Sequence, residues 1–234
     1  MGLLKALAGS DLRLGVNWYL NGDEETNSDG KFVRYYRLRF MDPQLFDSLV
    51  AVGSSESRGV AKLERSNLVP RGSIFYSRPL PRRELGFAQR GAARRQWFAN
   101  GFEALQTANI VFCDPDNGIA SSRISESSTQ ASKYALASEI DTHLDAGQSV
   151  IVYQHQTRRK GGVEAEIQHW AARFVPRCPS AFAVVFRPYS VRIYFVLPSE
   201  CHRHLLRERT TSMIAGGWSP AFEVTCSAVE TMVS

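Results

Sequence analysis

Long apolar runs are missing from this chain of 234 residues. The longest uncharged ones, such as Ala181–Phe186 and Ile193–Leu197, fall far short of the roughly 20 residues that cross a bilayer. No membrane segment is expected. No basic start with an apolar stretch and a small-residue cleavage site follows Met1, so nothing signals export. Cysteine is scarce, and Cys113, Cys178, Cys201 and Cys226 show neither C-x-x-C nor framework spacing, which excludes a disulfide-stapled miniprotein. A reduced cytoplasmic protein is the expectation. Internal repeats and low-complexity linkers are also absent, which favours one domain over residues 1–234. With 44 % apolar and 22 % charged residues, the composition excludes a disordered tail or a collagen-like rod.

The last scarcity is lysine. Five lysines stand against 23 arginines, for a net charge of +5. The charge is unevenly placed: residues 61–100 hold nine basic and two acidic groups, whereas residues 101–150 hold two and seven. Guanidinium forks match phosphate oxygens in pairs. An arginine-rich surface facing a polyanion therefore competes with arginines scattered over solvated faces.

Seven segments read as strands from β-branched and aromatic content between turn residues. They are Leu12–Leu20, Gly59–Glu64, Ser73–Ser77, Asn109–Cys113, Ser149–Gln154, Ala181–Arg187 and Val191–Leu197. Several are continuously apolar, as strands covered on both faces are. Helical spacing marks Pro43–Val52, Arg83–Leu105, Lys133–Ala146, Val163–Val175 and Cys201–Arg209, and the stretch after Gly216 is weakly patterned. Strands alternating with helices predict an α/β fold, a Rossmann-like, doubly wound, mostly parallel seven-stranded sheet. Only Pro188, Tyr189 and Ser190 separate the last two strands, too few for a parallel crossover, so a C-terminal antiparallel hairpin is expected. Leu68–Ser73 spells LVPRGS, the thrombin site of expression tags. Plausible sequence on both sides leaves it a coincidence or an engineering remnant.

Open α/β sheets bind ligands at the carboxyl ends of their strands. That rule selects Asn21, Asp23, Glu24 and the acidic stretch to Asp29, then Glu64, then Asp114-Pro115-Asp116-Asn117-Gly118, then Gln154-His155 with Arg158 and Arg159. In DPDNG, Pro115 fixes φ and Asn-Gly favours a left-handed turn. Turn chemistry needs no pair of carboxylates, and Asp114 and Asp116 also offer hard oxygen ligands for magnesium or manganese. Histidine as a residue type suits acid–base work near neutral pH, which makes His155 a candidate. Arg83, Arg90 and Arg94 share one broad helical face that could position phosphates, as could Arg158 and Arg159. Cys201-His202-x-His204 lacks a second ligand pair for zinc.

The order of elements resembles that of class I S-adenosylmethionine-dependent methyltransferases over residues 12–197. Asp114-Pro115-Asp116-Asn117 is similar to the D/N-P-P-Y/F motif of the amino-group enzymes, with Asp116 and Asn117 departing from it. The turn after the first strand has no G-x-G. The resemblance implies S-adenosylmethionine as cofactor, Glu64 on its ribose, the Asn21–Asp23 turn at its polar end, and Asp114, Pro115, Asp116 and Asn117 at the target amino group, with His155 nearby. Trp18-Tyr19-Leu20, DPDNG and Tyr153-Gln154-His155 are also similar to a bacterial family to which no activity attaches. Three functional readings follow: a methyltransferase-like enzyme on nucleic acid, a divalent-metal hydrolase or nuclease using Asp23, Glu24, Asp114 and Asp116, and a non-catalytic nucleic-acid or protein binding module.

Overall fold

Strands with apolar residues on both sides pack at the centre of a sheet, and the runs at 110–113 and 149–155 do so here. A computed structural model describes residues 1–21, 38–53, 59–81 and 84–226. In chain order the elements are α1 (Gly2–Ala8), β1 (Leu14–Asn17), α2 (Pro43–Gly53), α3 (Val60–Glu64), β2 (Ile74–Tyr76), α4 (Phe87–Ala104), β3 (Ile110–Cys113) and β4 (Gly118–Ile119). Then follow β5 (Tyr134–Ala135), α5 (Ala137–Asp145), β6 (Ser149–His155), α6 (Gly162–Phe174), β7 (Phe182–Phe186), β8 (Arg192–Leu197), α7 (Arg203–Ala215) and β9 (Phe222–Cys226).

The fold is α/β with a mixed seven-stranded sheet in the order β2-β1-β3-β6-β8-β7-β9, beside a small parallel β4–β5 pair. β2, β1, β3 and β6 run parallel. β8 lies antiparallel to both β6 and β7, and β9 antiparallel to β7. The expected hairpin is therefore present, with its second strand next to β6.

Alternation along each strand builds two apolar clusters. Val111 and Cys113 of β3 join one, with Trp97 and Leu105 near α4, Ile140 of α5 and Ile167, Trp170 and Phe174 of α6. Ile110 and Phe112 join the other, with Leu3, Leu4 and Leu7 of α1 and Leu206 and Met213 of α7. Helices thus pack on both faces. Fully burying one such side chain stabilises by about 1.5–3 kcal/mol, so the β3–β6 centre is well anchored. Among the described residues no helix is long and apolar enough to cross a membrane.

Two expectations are corrected. Residues 59–64 are not a strand: 60–64 form α3, whose Val60 and Leu63 pack on the second cluster at helical spacing. A run of five or six residues cannot distinguish period 2 from period 3.6 by pattern alone. The seventh strand is instead β9, from the weakly patterned end, and four parallel strands replace the expected five. Helix boundaries shift too. Tyr134-Ala135 pairs with β4, so α5 starts only at Ala137, and α7 continues to Ala215. The LVPRGS segment is built into the fold, with Leu68 and Val69 buried and the Ser73 N–H donating to the Pro70 carbonyl at 3.2 Å on the way into β2.

After β1 the chain adds β2 on one side and later returns to β3 on the other. Strand order reverses at β1–β3, and an open sheet leaves a crevice at the carboxyl ends of such a pair.

Candidate functional site

Asp114 leaves β3 at this rim, with its N–H bonded to the Asn17 carbonyl of β1 at 3.0 Å. Its charge acts on the tyrosines of the neighbouring strands. Burial, and then Asp114, push the Tyr194 phenol above its ordinary value. Burial likewise raises the Tyr153 phenol, with Arg192 pulling it down and Asp114 pushing it up. The β6–β8 register sets Tyr153 opposite Tyr194 and His155 opposite Arg192. The Tyr153 hydroxyl lies 3.1 Å from Nδ1 of the exposed His155. One row at the ends of β3, β6 and β8 thus carries a carboxylate, two protonated phenols, an imidazole and a guanidinium.

The turn DPDNG is tied down on three sides. Asp116 pairs with Lys133 at 3.2 Å. The Asn117 N–H donates to the Lys133 carbonyl at 2.9 Å, and its own carbonyl accepts from the His155 N–H at 3.3 Å. The Ile119 N–H donates to Gln154 Oε1 at 2.7 Å. Gly118 has φ 113° and a Cβ there would overlap the Gln154 amide, so this position requires glycine. Gln154 also donates to Glu166 of α6 at 3.1 Å. Glu166 is buried and accepts further bonds from Trp170, Thr157 and Arg159, which fixes the loop that follows His155.

On the opposite face of the sheet a buried network closes the switch point. Arg94 of α4 and Glu139 of α5 are 3 % and 4 % exposed and joined by two hydrogen bonds of 2.7 and 2.9 Å. Arg94 also donates to the Tyr134 carbonyl at 2.8 Å and lies over the rings of Trp97 and Tyr19 at 4.8 and 5.3 Å. Glu139 accepts from the Tyr19 hydroxyl at 3.1 Å and from the Leu136 N–H at 3.0 Å. Tyr19 adopts φ 50°, a conformation rare for a bulky residue. Asn17 is fully buried, and its Nδ2 has no partner. Burial, then Glu139, pushes the Cys113 thiol up to about 12.

The expected site residues separate accordingly. Asp114, Pro115, Asp116, Asn117 and His155 come together at the rim. Glu64 ends α3 rather than a strand, yet reaches the ends of β1 and β2 by accepting from Trp18 Nε1 at 2.9 Å and from Ser77. Asn21 is half-buried, just past Leu20, whose carbonyl accepts from the Leu80 N–H at 2.8 Å. Arg94 turns inward, because a guanidinium with a buried carboxylate partner is held in the core, and it adds nothing to a phosphate-facing surface. Arg90 is half-buried against the carbonyls of Ser127 and Leu85. Arg158 and Arg159 are exposed, the latter 3.3 Å from Glu166. Asp23, Glu24 and Arg83 lie outside the described residues. Tyr153, Arg192, Glu139 and Glu166 were not expected; nothing in their local sequence sets them apart, and they stand out only once the strands are paired and the helices packed.

Among the described residues no three or more His, Cys, Asp or Glu side chains gather as a group that could hold a metal ion. At β1, the turn where an adenosyl cofactor would need small residues for close approach carries buried Asn17, Trp18 and Tyr19 instead. Glu64 there is already engaged by Trp18 and Ser77. The described residues do not fit S-adenosylmethionine at this turn, and no chemistry is derived through it. No protein-family model matches the chain, and neither a curated protein nor a solved structure is significantly similar to it.

Proposed function

We propose that this chain is an enzyme acting on nucleic acid at the carboxyl rim of its parallel strands. The observation that carries the reading is the row Asp114, Tyr153, His155 and Arg192, which sets a carboxylate, a phenol and an imidazole beside a guanidinium. Arg192 and the exposed Arg158, Arg159 and Lys160 hold the phosphates. Guanidinium pairs bind phosphate oxygens in forks, and such contacts position a strand without reading its sequence. His155 moves the proton, since its exposed imidazole ends β6 with Nδ1 held by the Tyr153 hydroxyl. Tyr153 holds Nδ1 in either protonation state because a phenol both donates and accepts, leaving Nε2 for the substrate. Asp114 accepts a hydrogen bond from the reacting group.

Labelled RNA and DNA are incubated with the protein, and scission or mass change is read by gel and mass spectrometry. Asp114→Asn and His155→Ala are expected to lower turnover by about 10²–10⁴-fold with retained binding. Arg158→Ala with Arg159→Ala is expected to weaken binding and flatten its salt dependence. Nucleic acid left unchanged, together with no salt-dependent binding, overturns the reading.

A methyltransferase-like activity is the second reading; the antiparallel hairpin whose last strand lies beside β6 favours it, and the buried Asn17, Trp18 and Tyr19 at the β1 turn count against it. Calorimetry with S-adenosylmethionine separates the two, because only the second requires heat of binding.

A further inference from the structure

We infer that Arg159 grips a backbone phosphate of the bound strand through an oriented guanidinium fork, and that Glu166 is the positioning residue that aims it. The inference rests on the reading of the rim as a nucleic-acid site and adds where that site makes a directed phosphate contact and what holds it.

Glu166 of α6 is 1 % exposed, and each of its carboxylate oxygens takes two donors. Oε1 accepts from Gln154 Nε2 at 3.1 Å and from Trp170 Nε1 at 3.0 Å. Oε2 accepts from the Thr157 hydroxyl and from Arg159 Nε, the latter at 3.3 Å. A buried carboxylate needs such partners, and the neutral donors fix where it sits. Arg159 joins them differently. Arg94 shows how a guanidinium serves a buried carboxylate alone, through two bonds to Glu139 of 2.7 and 2.9 Å. Arg159 gives Glu166 a single N–H, its side chain stays 36 % exposed, and its terminal Nη groups have no partner among the described residues. The edge that matches two phosphate oxygens is left open.

The backbone of Arg159 is held as well. Its N–H donates to the Thr157 hydroxyl at 3.3 Å, and its carbonyl accepts from the Gly162 N–H at 3.1 Å. A hydroxyl both donates and accepts, so Thr157 links the main chain of Arg159 to the carboxylate that holds its side chain. Main chain and guanidinium are thereby fixed to one buried point. The neighbouring Arg158 and Lys160 are exposed and have no such tie among the described residues; they supply charge without direction. Gln154 extends the anchor, because its Oε1 accepts from the Ile119 N–H at 2.7 Å. Glu166 therefore ties the fork to the end of the turn that begins at Asp114, and a phosphate held at a fixed place relative to the reacting groups is what proximity requires.

Fluorescence anisotropy with a labelled oligothymidylate, across a series of salt concentrations, tests this. Lysine keeps the charge but cannot form the fork. Arg159→Lys is expected to weaken binding by about tenfold, as for the loss of one charge-assisted bond, with the salt slope of the parent. Arg159→Ala is expected to lose affinity and about one unit of that slope. Glu166→Gln removes a negative charge beside the site and would tighten polyanion binding if charge alone mattered; it is expected to weaken binding severalfold. In the Arg159→Ala background the same change is expected to leave binding as it is, whereas a merely structural loss would persist there. Glu164→Gln, in the first turn of the same helix, is expected not to weaken binding. Thermal melting of each variant is followed alongside, and if Glu166→Gln does not fold, Arg159→Lys at its exposed position carries the test. If Arg159→Lys binds as the parent does, or Glu166→Gln binds more tightly, the fork inference falls, while salt-dependent binding by the parent keeps the rim reading. If the parent shows no salt-dependent binding, both fall.

Discussion

The Arg94–Glu139 pair gives the sharpest test of the architecture. Replacing Arg94 by methionine keeps most of the side-chain volume against Trp97 and Tyr19 but removes both bonds to Glu139 and the one to the Tyr134 carbonyl. Glu139 would stay buried with only the Tyr19 hydroxyl and the Leu136 N–H. Stranding one member of a buried pair costs about 3–5 kcal/mol, a large share of the roughly 5–15 kcal/mol that hold a domain folded. At a urea slope of about 3 kcal/mol/M, the midpoint would drop by roughly 1–1.7 M. Removing both charges in Arg94→Met with Glu139→Leu should recover much of this, because an apolar replacement of a buried ion pair is often near neutral. The recovery is incomplete, since the Leu136 N–H loses its cap, worth about 1 kcal/mol. Urea unfolding followed by tryptophan fluorescence gives the four corners of the cycle, with an expected coupling above about 2 kcal/mol. A loss below about 1 kcal/mol in Arg94→Met, or a double variant as unstable as the two losses added, would refute the reasoning.

Three other outcomes follow from the same geometry. Burial holds the His143 imidazole below its ordinary value of 6.5, against the upward pull of its Gln148 hydrogen bond. The folded state therefore binds fewer protons than the unfolded chain, and stability present above pH 6.5 is lost as pH falls below it. His143→Phe should reduce the slope of unfolding free energy between that pH and the lower folded value. His202, lowered chiefly by burial, keeps part of the slope, and an unchanged slope in His143→Phe would count against the shift. Alkylation with iodoacetamide followed by peptide mapping should label the exposed Cys201 in the native protein and leave Cys113 unmodified until unfolding; equal labelling would contradict the burial of Cys113. Gly118→Ala should destabilise by at least about 1–3 kcal/mol from backbone strain, with the Gln154 overlap in addition, whereas a melting temperature equal to the parent's would show that the turn relaxes freely.

Much of this was legible because some signals need no partner. The apolar runs of β3, β6, β7 and β8 declare strands wherever they are placed, and the three residues Pro188, Tyr189 and Ser190 force their hairpin. The turn Asp114–Gly118 reads as a left-handed exit from a strand, and Gly118 has that conformation. Arg94 was misplaced because helical spacing gives the face a residue shares but not what covers that face. Here Glu139, 45 positions later, draws the guanidinium inward. Residues 60–64 were misread because five positions hold too little periodicity to choose between helix and strand. β9 carried no usable pattern, and it became a strand because β7 offered an unpaired edge.

The sequence by itself determined the α/β class, the hairpin, and Asp114 and His155 as strand-end polar residues, since these depend on local stereochemistry and on runs of neighbouring residues. Tertiary structure alone decided which residues join them. Tyr153, Arg192 and Tyr194 meet Asp114 only through the β6–β8 register, and Arg94 meets Glu139 only through the packing of α4 on α5. Register and packing are set by the burial of whole faces, a long-range condition that no stretch of sequence states on its own.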